Sequence, residues 1–360
     1  MDTRQIFEFL RFCLDEKQEM PEKTVEGIDW DELLDFAKKQ ALIGICFEGI
    51  KRLGDMGHNK PSTQNIATWV TVSSKIAMRN KQMFDMTAKV SQKFARLGFA
   101  NCVLKGQGNA LMYPHPEARS SGDIDIWLKA PVMEGETCSL AYNRKKVLAY
   151  VRKIVPDAET CYHHVDFPVY RTCPIEVHFT PSYLSNPFAN HRLQRWYAEY
   201  AMSSAAVYPT ADFNRVYQLT HIQHHFFDEG VGLRQLIDYY YLLRCGFTEE
   251  EKKHDVALLK KFGLRPMAGA VMYVLHEVLG LDEQYLLLRP DERRGEVLLR
   301  EMLQGGNFGK SNNFRRYNIA EKYMAKTWRN LRRSWLFPSE ALWEPIFRTY
   351  LFFWKKLALR

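Results

Sequence analysis

Two acids stand one residue apart in the stretch "SGDIDIWL": Asp123 and Asp125, flanked by Ile124, Ile126, Trp127 and Leu128. Successive side chains of a strand alternate faces, so both carboxylates project to one side and the isoleucines to the other. Burying such a pair is costly without a cation or hydrogen-bond donors, and each acid raises the proton affinity of its neighbour. Two divalent cations resolve the conflict, because two-metal sites hold ions about 3.5–4 Å apart on carboxylate ligands. Magnesium, or manganese in its place, suits oxygen ligands and leaves room for substrate phosphates. A third acid, Glu176, lies among apolar neighbours in "PIEVHF", and alternation places His178 on its face. If that strand lies near "GDIDIWL", the three acids form one metal-binding set.

The complementary half of such a site stands upstream in "VLKGQGNALMY". Gly106 follows an apolar strand and opens a predicted helix beginning at Gln107, with Gly108 in its first turn. Backbone N–H groups at a helix N-terminus, backed by the helix dipole, attract anions. Lys105 and Arg119 add positive charge near a triphosphate. No GK[ST] follows the glycines, which excludes a P-loop.

These residues resemble a known family. Strand–Lys105-Gly106–helix, then "ARSSGDIDIWL", then a later strand with the isolated Glu176 is similar to the nucleotidyltransferase superfamily of the DNA polymerase beta-type fold. More closely, "VLKG", "YPHPEARSSGDIDIWL", "IEVHF" and "HIQHHFFDEGVGLRQLIDYYYLL" resemble a poorly characterised branch of bacterial nucleotidyltransferase-like proteins, over roughly residues 25–250. The resemblance implies an α+β core with a small mixed sheet, and transfer of a nucleoside monophosphate from a nucleoside triphosphate to an acceptor. It implies that Asp123 and Asp125 hold two metal ions on the nucleotide phosphates. Glu176 would help hold the catalytic ion and accept the acceptor's proton. It also implies nucleotide contacts at Lys105, Gly106, Gln107 and Arg119. The superfamily carries Gly-Ser after its first strand, whereas this chain has Gly106-Gln107. Either Gln107 takes the serine's place or the nucleotide sits differently. A catalytically inactive nucleotide-binding or interaction module of the same fold is the first competing reading.

Histidines supply the second. His221 and His225 share a helix face at i and i+4, with His224 beside them. A zincin needs HExxH, and Ile222 stands at the glutamate position, so packing or hydrogen bonding is expected of them ahead of a metal-dependent hydrolase. His163 and His164 fall on opposite faces of a predicted strand, so at most one of them lines the same site. Arg234 and Asp238, four apart on a helix, either pair across one turn or place Arg234 in the cleft with Asp238 orienting it or a histidine. His164, His178, His225, Arg234 and Asp238 are therefore accessory candidates.

These residues need a scaffold, and the patterning supplies one. "IDWDELLDFAKKQALIGICFEGIKRL" and "NKQMFDMTAKVSQKFARLG" read as helices separated by the loop "GDMGHNKPSTQN". "FANCVL" and "GDIDIWL" read as strands, "CSLAYNRKKVLAYVRKIV" as a helix, and "YHHVDFPVY" with "IEVHFTP" as a strand pair. After Pro181 the pattern is mostly helical. The expected plan is an N-terminal helical segment over 1–81, a nucleotidyltransferase core over 82–182 and a C-terminal helical domain over 183–360.

Composition fits a globular protein, with 46% hydrophobic and 26% charged residues. The amphipathic, acid-bearing N-terminus does not suit a secretory signal, and no apolar run approaches a membrane span of about 18 residues. The seven cysteines show no CxxC, which argues against a disulfide framework or cysteine-rich zinc site. A cytoplasmic location is the expectation. The net charge of +8 is concentrated in residues 310–360, which carry 12 Lys/Arg against three Asp/Glu amid many aromatics. That tail reads as a closing helix whose aromatics fill the core. Its alternatives are weak contact with an anionic membrane surface or with nucleic acid.

Overall fold

Period-two patterning makes the central sheet two-faced. In a computed structural model, which describes residues 2–55, 61–133, 138–202, 207–307 and 319–358, four strands form one mixed sheet. They are β1 (Ala100–Val103), β2 (Ile124–Lys129), β3 (His164–Asp166) and β4 (Ile175–His178), in the order β1-β2-β4-β3. β2 runs antiparallel to β1 and parallel to β4, and β4 runs antiparallel to β3. Ile124, Ile126, Leu128, Val165, Ile175 and Val177 turn to one side and pack into a core with Met83, Val90, Phe94, Val147 and Val151. The alternate residues, Asp125, Trp127, Glu176, His178, His164 and Asp166, must face the other way. The architecture is α+β, as the family resemblance implies.

Helices supply both coverings. Before the sheet come α1 (Thr3–Leu14), α2 (Glu22–Glu26), α3 (Trp30–Gln40), α4 (Ile43–Asp55) and α5 (Thr63–Arg96). The single helix expected over 28–53 is in fact two. Ala41 adopts φ 59°, and Leu42 N–H returns to Ala37 O at 2.8 Å, ending α3 as a left-handed cap ends helices. α5 spans 34 residues from its Ser62 cap, crosses positions 81 and 82, and lends Met83, Val90 and Phe94 to the sheet's apolar side. Within the sheet region lie α6 (Gln107–Ala110) and α7 (Leu140–Ile154).

The remaining helices are α8 (Pro187–Glu199), α9 (Ala211–Phe227), α10 (Leu233–Arg244), α11 (Glu249–Lys261), α12 (Arg265–Tyr273), α13 (Glu292–Gly305), α14 (Ile319–Arg332) and α15 (Pro338–Ala358). A larger apolar core joins α9, α10, α12 and α13 to the N-terminal helices and takes in Trp127, which stacks on Phe213 of α9 at 5.8 Å. α9 thereby closes over the sheet's polar face. Its C-terminal carbonyls and that of its cap residue Asp228 are met by α14 and the residue after it: Arg329 donates to Phe227 O and Asp228 O, Asn330 to Phe227 O, and Arg333 to Phe226 O. Those are the acceptors a helix end leaves open, at its negative pole.

The basic aromatic tail is split in use. Residues 310–318 lie outside the described residues. Leu336, Phe337 and Ala341 are buried in the larger core, and Phe347 and Trp354 pack on Tyr162 at 5.3 and 5.6 Å. Leu342, Ile346, Phe352 and Phe353 stay exposed. Among the described residues no helix is long and apolar enough to cross a membrane.

Candidate active site

Asp125 sits opposite Glu176 in the parallel pairing of β2 with β4, and Trp127 sits opposite His178. This register, set by the apolar residues between them, brings the Asp125, Glu176 and His178 ligand atoms within 4.8 Å of one another. His178 Nε2 lies 3.0 Å from Asp125 Oδ1 and 3.4 Å from Glu176 Oε2. Lys105 Nζ approaches the same Asp125 oxygen at 3.1 Å and His221 Nε2 at 3.4 Å.

The charges hold one another in place. Burial would raise the Asp125 carboxyl, but Lys105 and His178 outweigh it and keep the group well below the usual carboxylate range. Burial likewise disfavours charge on Lys105, yet attraction to Asp125, Asp123 and Glu176 leaves its ammonium above its ordinary value. For His178, burial is overcome by hydrogen bonds to Asp125 and Glu176, and the imidazole is raised to about 9. His164 goes the other way: burial and the neighbouring His178 lower it to about 4. The second Asp125 oxygen, Oδ2, is buried with no hydrogen-bond partner among the described residues. A divalent cation fits this donor set, since it would satisfy that oxygen with Glu176 and His178 close by.

Asp123 occupies a different station. It precedes β2, is half-buried, and belongs to no group of three candidate ligands among the described residues. It does line both cavities that meet here. A cavity of about 480 Å³ is walled by Glu176, His178, His163 and His164 and by His221, His224, His225 and Trp354. A narrow recess of about 30 Å³ is walled by Gly106, Arg119, Asp125 and Arg234. Lys105, Asp123 and His221 border both.

The glycine turn abuts the acids as expected, but the helix behind it is shorter. Leu104 N–H donates to Asp125 O at 2.9 Å, and a Cβ on Gly106 (φ 67°) would stand 3.4 Å from Asp123 O. α6 is a single turn, so no helix dipole of any size backs an anion there. Gln107 is fully buried, lines neither cavity, and has both amide atoms without partners among the described residues.

Arg119 and Asp238 meet each other. Arg119 Nε and Nη2 donate to the two Asp238 oxygens at 2.6 and 2.7 Å, and Tyr113 Oη adds a third bond at 2.7 Å. Arg234 reaches the narrow recess and donates through Nη1 to Ser120 O at 2.7 Å, while Asp238, within the electrostatic reach of Arg234, orients Arg119 through paired bonds. Both Arg119 and Arg234 border the narrow recess.

His163 corrects the strand argument. β3 begins at His164, so alternation does not govern residue 163. His163 bends onto the same cavity, with its Nε2 3.1 Å from His164 Nδ1. His225 packs on His221 with ring centroids 4.3 Å apart, and the α9 histidines join no group of three candidate metal ligands among the described residues. Tyr113 and Asp166 escaped the sequence reading. Only "YHHVD" offered a signal, since polar residues recur there beside one apolar position.

The small four-stranded mixed sheet set among helices is consistent with a nucleotidyltransferase-type core. The chain belongs to the uncharacterised nucleotidyltransferase family, whose model matches residues 26–280. No curated protein and no solved structure matches the chain. Family membership supports nucleotidyl transfer as the general activity.

Proposed function

We propose that the chain moves a nucleoside monophosphate from a nucleoside triphosphate to a hydroxyl or phosphate acceptor, in a reaction dependent on divalent cations such as magnesium or manganese. The carrying observation is the pairing of Asp125 with Glu176 across adjacent parallel strands, with Asp123 at the mouth of β2 beside Gly106. The metal, when bound, would neutralise charge on the phosphates and polarise the α-phosphate. Asp125, Glu176 and Asp123 would hold it. Lys105, bordering both cavities, fixes positive charge where the triphosphate lies, and Arg119 and Arg234 extend that charge along the narrow recess. An acceptor oxygen attacks the α-phosphorus, the bond to pyrophosphate breaks, and Glu176 takes the acceptor's proton. The larger cavity is of a size usual for small-molecule sites, and Tyr162, Tyr183 and Trp354 give it flat apolar walls. Residues 82–182 form the catalytic unit in this proposal, with the flanking helices closing its polar face.

One observation favours a binding module without turnover: Gln107, enclosed as it is, offers nothing to a phosphate in place of a serine hydroxyl. Pyrophosphate release decides between the two. The full chain is supplied with mixed nucleoside triphosphates, candidate acceptors and magnesium or manganese. Release that disappears in Asp125→Asn supports transfer, and release unchanged by that substitution rules it out.

A further inference from the structure

The polar face of the sheet carries more nitrogen than a magnesium clamp needs. The His163, His164 and His178 rings pack pairwise with centroids 4.5, 5.2 and 5.1 Å apart. Their nitrogens form one set within 4.8 Å of one another; His178 also joins Asp125 and Glu176, and His164 joins Asp166 and Glu176. Sheet pairing fixes these positions, since His164 is opposite His178, and Asp125 is opposite Glu176.

One atom of the carboxylate set, Asp125 Oδ2, points to an absent ligand. Asp125 is 1% exposed and His178 2% exposed, yet Asp125 Oδ2 and His178 Nδ1 have no hydrogen-bond partner among the described residues. Buried polar atoms left so are uncommon and destabilising. A protonated His178 bridging the two carboxylates would account for its Nε2 contacts but leaves Asp125 Oδ2 as it is, whereas a cation shared by Asp125, Glu176 and His178 would satisfy that oxygen. Magnesium takes oxygen ligands and keeps its waters. Imidazole suits zinc, iron, nickel and copper, and late first-row ions bind mixed nitrogen–oxygen sites more tightly than early ones.

We propose that Asp125, Glu176 and His178, with His164 alongside, form a mixed carboxylate–imidazole site for a transition-metal ion that discriminates against magnesium. This deepens the nucleotidyl-transfer reading and rests on it only for the role of the cavity; the metal preference stands on the ligand set. In this arrangement Asp125 and Glu176 hold the transition-metal ion, and the magnesium or manganese of the transfer reading is the oxygen-bound ion left to Asp123 and the phosphates.

The test uses the full chain, stripped by chelation and titrated separately with zinc, manganese and magnesium. Zinc is expected to bind at least about tenfold more tightly than magnesium. Pulsed electron paramagnetic resonance of the manganese-loaded chain is expected to show nitrogen coupling. His178→Gln should abolish that coupling or weaken binding about tenfold or more. His164→Asn, on a partly exposed strand, should weaken binding too, and guards against His178→Gln failing to fold. Magnesium binding as tight as zinc, or manganese binding without nitrogen coupling, overturns the proposal. Pyrophosphate release is followed in parallel. Nitrogen-coordinated metal without transfer upholds the site and sinks the transfer reading, whereas transfer with magnesium and no nitrogen coupling does the reverse.

Discussion

Arg119 and Asp238 lock together through two parallel bonds of 2.6 and 2.7 Å, almost wholly out of water, tying the loop before β2 to helix α10. Burial would raise the Asp238 carboxyl, but Arg119 outweighs it and holds the group below its ordinary value. Asp238→Ala therefore leaves a buried guanidinium uncompensated, with a cost of about 3–5 kcal/mol. Replacing both partners, in Arg119→Met with Asp238→Leu, should cost much less than the two single changes added together. Urea unfolding of the single and double variants measures this. Additive losses would show that the pair is not coupled.

Asp125 and Glu176 are expected to separate stability from activity. Glu176 is partly open to the cavity, with 27% of its side chain exposed, so Glu176→Gln should cost less stability than Asp125→Asn although it removes one of the two carboxylates that His178 faces. Its effect on pyrophosphate release should be about 100-fold or more. Asp125→Asn removes the charge that Lys105 and His178 face, so it should lower both activity and the unfolding midpoint. Full turnover in Glu176→Gln would remove that residue from the mechanism.

Much of this site was legible from alternation, and the parts that were not share physical causes. Asp125, Glu176 and His178 could be placed on one face because period two holds inside β2 and β4. His163 could not, because it lies one residue before β3 and strand ends are not marked by pattern. The break between α3 and α4 rests on Ala41 in a left-handed conformation, a place where glycine would have announced the turn. Arg119 and Asp238 are 119 positions apart, and only the packing of α10 against the loop joins them. The brevity of α6 was hidden too, since "ALMY" after Gly108 and Asn109 suits a helix and no proline breaks the stretch until Pro114.

Gly106 should be intolerant of any side chain. Its φ of 67° with ψ of −107° is a conformation that residues with a Cβ rarely hold, at a cost on the order of 1–3 kcal/mol. The added methyl would merely touch the Asp123 carbonyl at 3.4 Å, so the left-handed backbone rather than a clash sets the cost. Gly106→Ala is expected to lower the thermal midpoint and to weaken nucleotide binding together. A Gly106→Ala chain with unchanged stability would mean that the turn relaxes freely.

Acid should loosen α14 from α9 through Asp228. Burial alone would raise the Asp228 carboxyl, but Lys326 beside it, with His224, brings it down to about 2. A carboxyl lowered on folding contributes stability that is present above its unfolded value near 4 and is lost as pH falls toward 2. Unfolding midpoints measured from pH 5 down to pH 2 should therefore fall more steeply in the natural chain than in Asp228→Asn. Parallel slopes would place the acid sensitivity elsewhere.

The C-terminal helices present two faces, and single substitutions should tell them apart. Phe337, 3% exposed, packs on Phe226 and Phe227 at 5.3 and 5.9 Å, whereas Ile346 on α15 is 59% exposed. Removing the buried ring in Phe337→Ala should cost about 3–5 kcal/mol, while Ile346→Ser should change stability by about 0.5 kcal/mol or less. Calorimetric unfolding of both variants makes the comparison. The outer face of α15, with Leu342, Ile346 and Phe353 open to solvent, is then available to test for contact with anionic vesicles or RNA without disturbing the core. Equal destabilisation by the two substitutions would show that Ile346 is covered in solution, and that the tail acts throughout as a packing element.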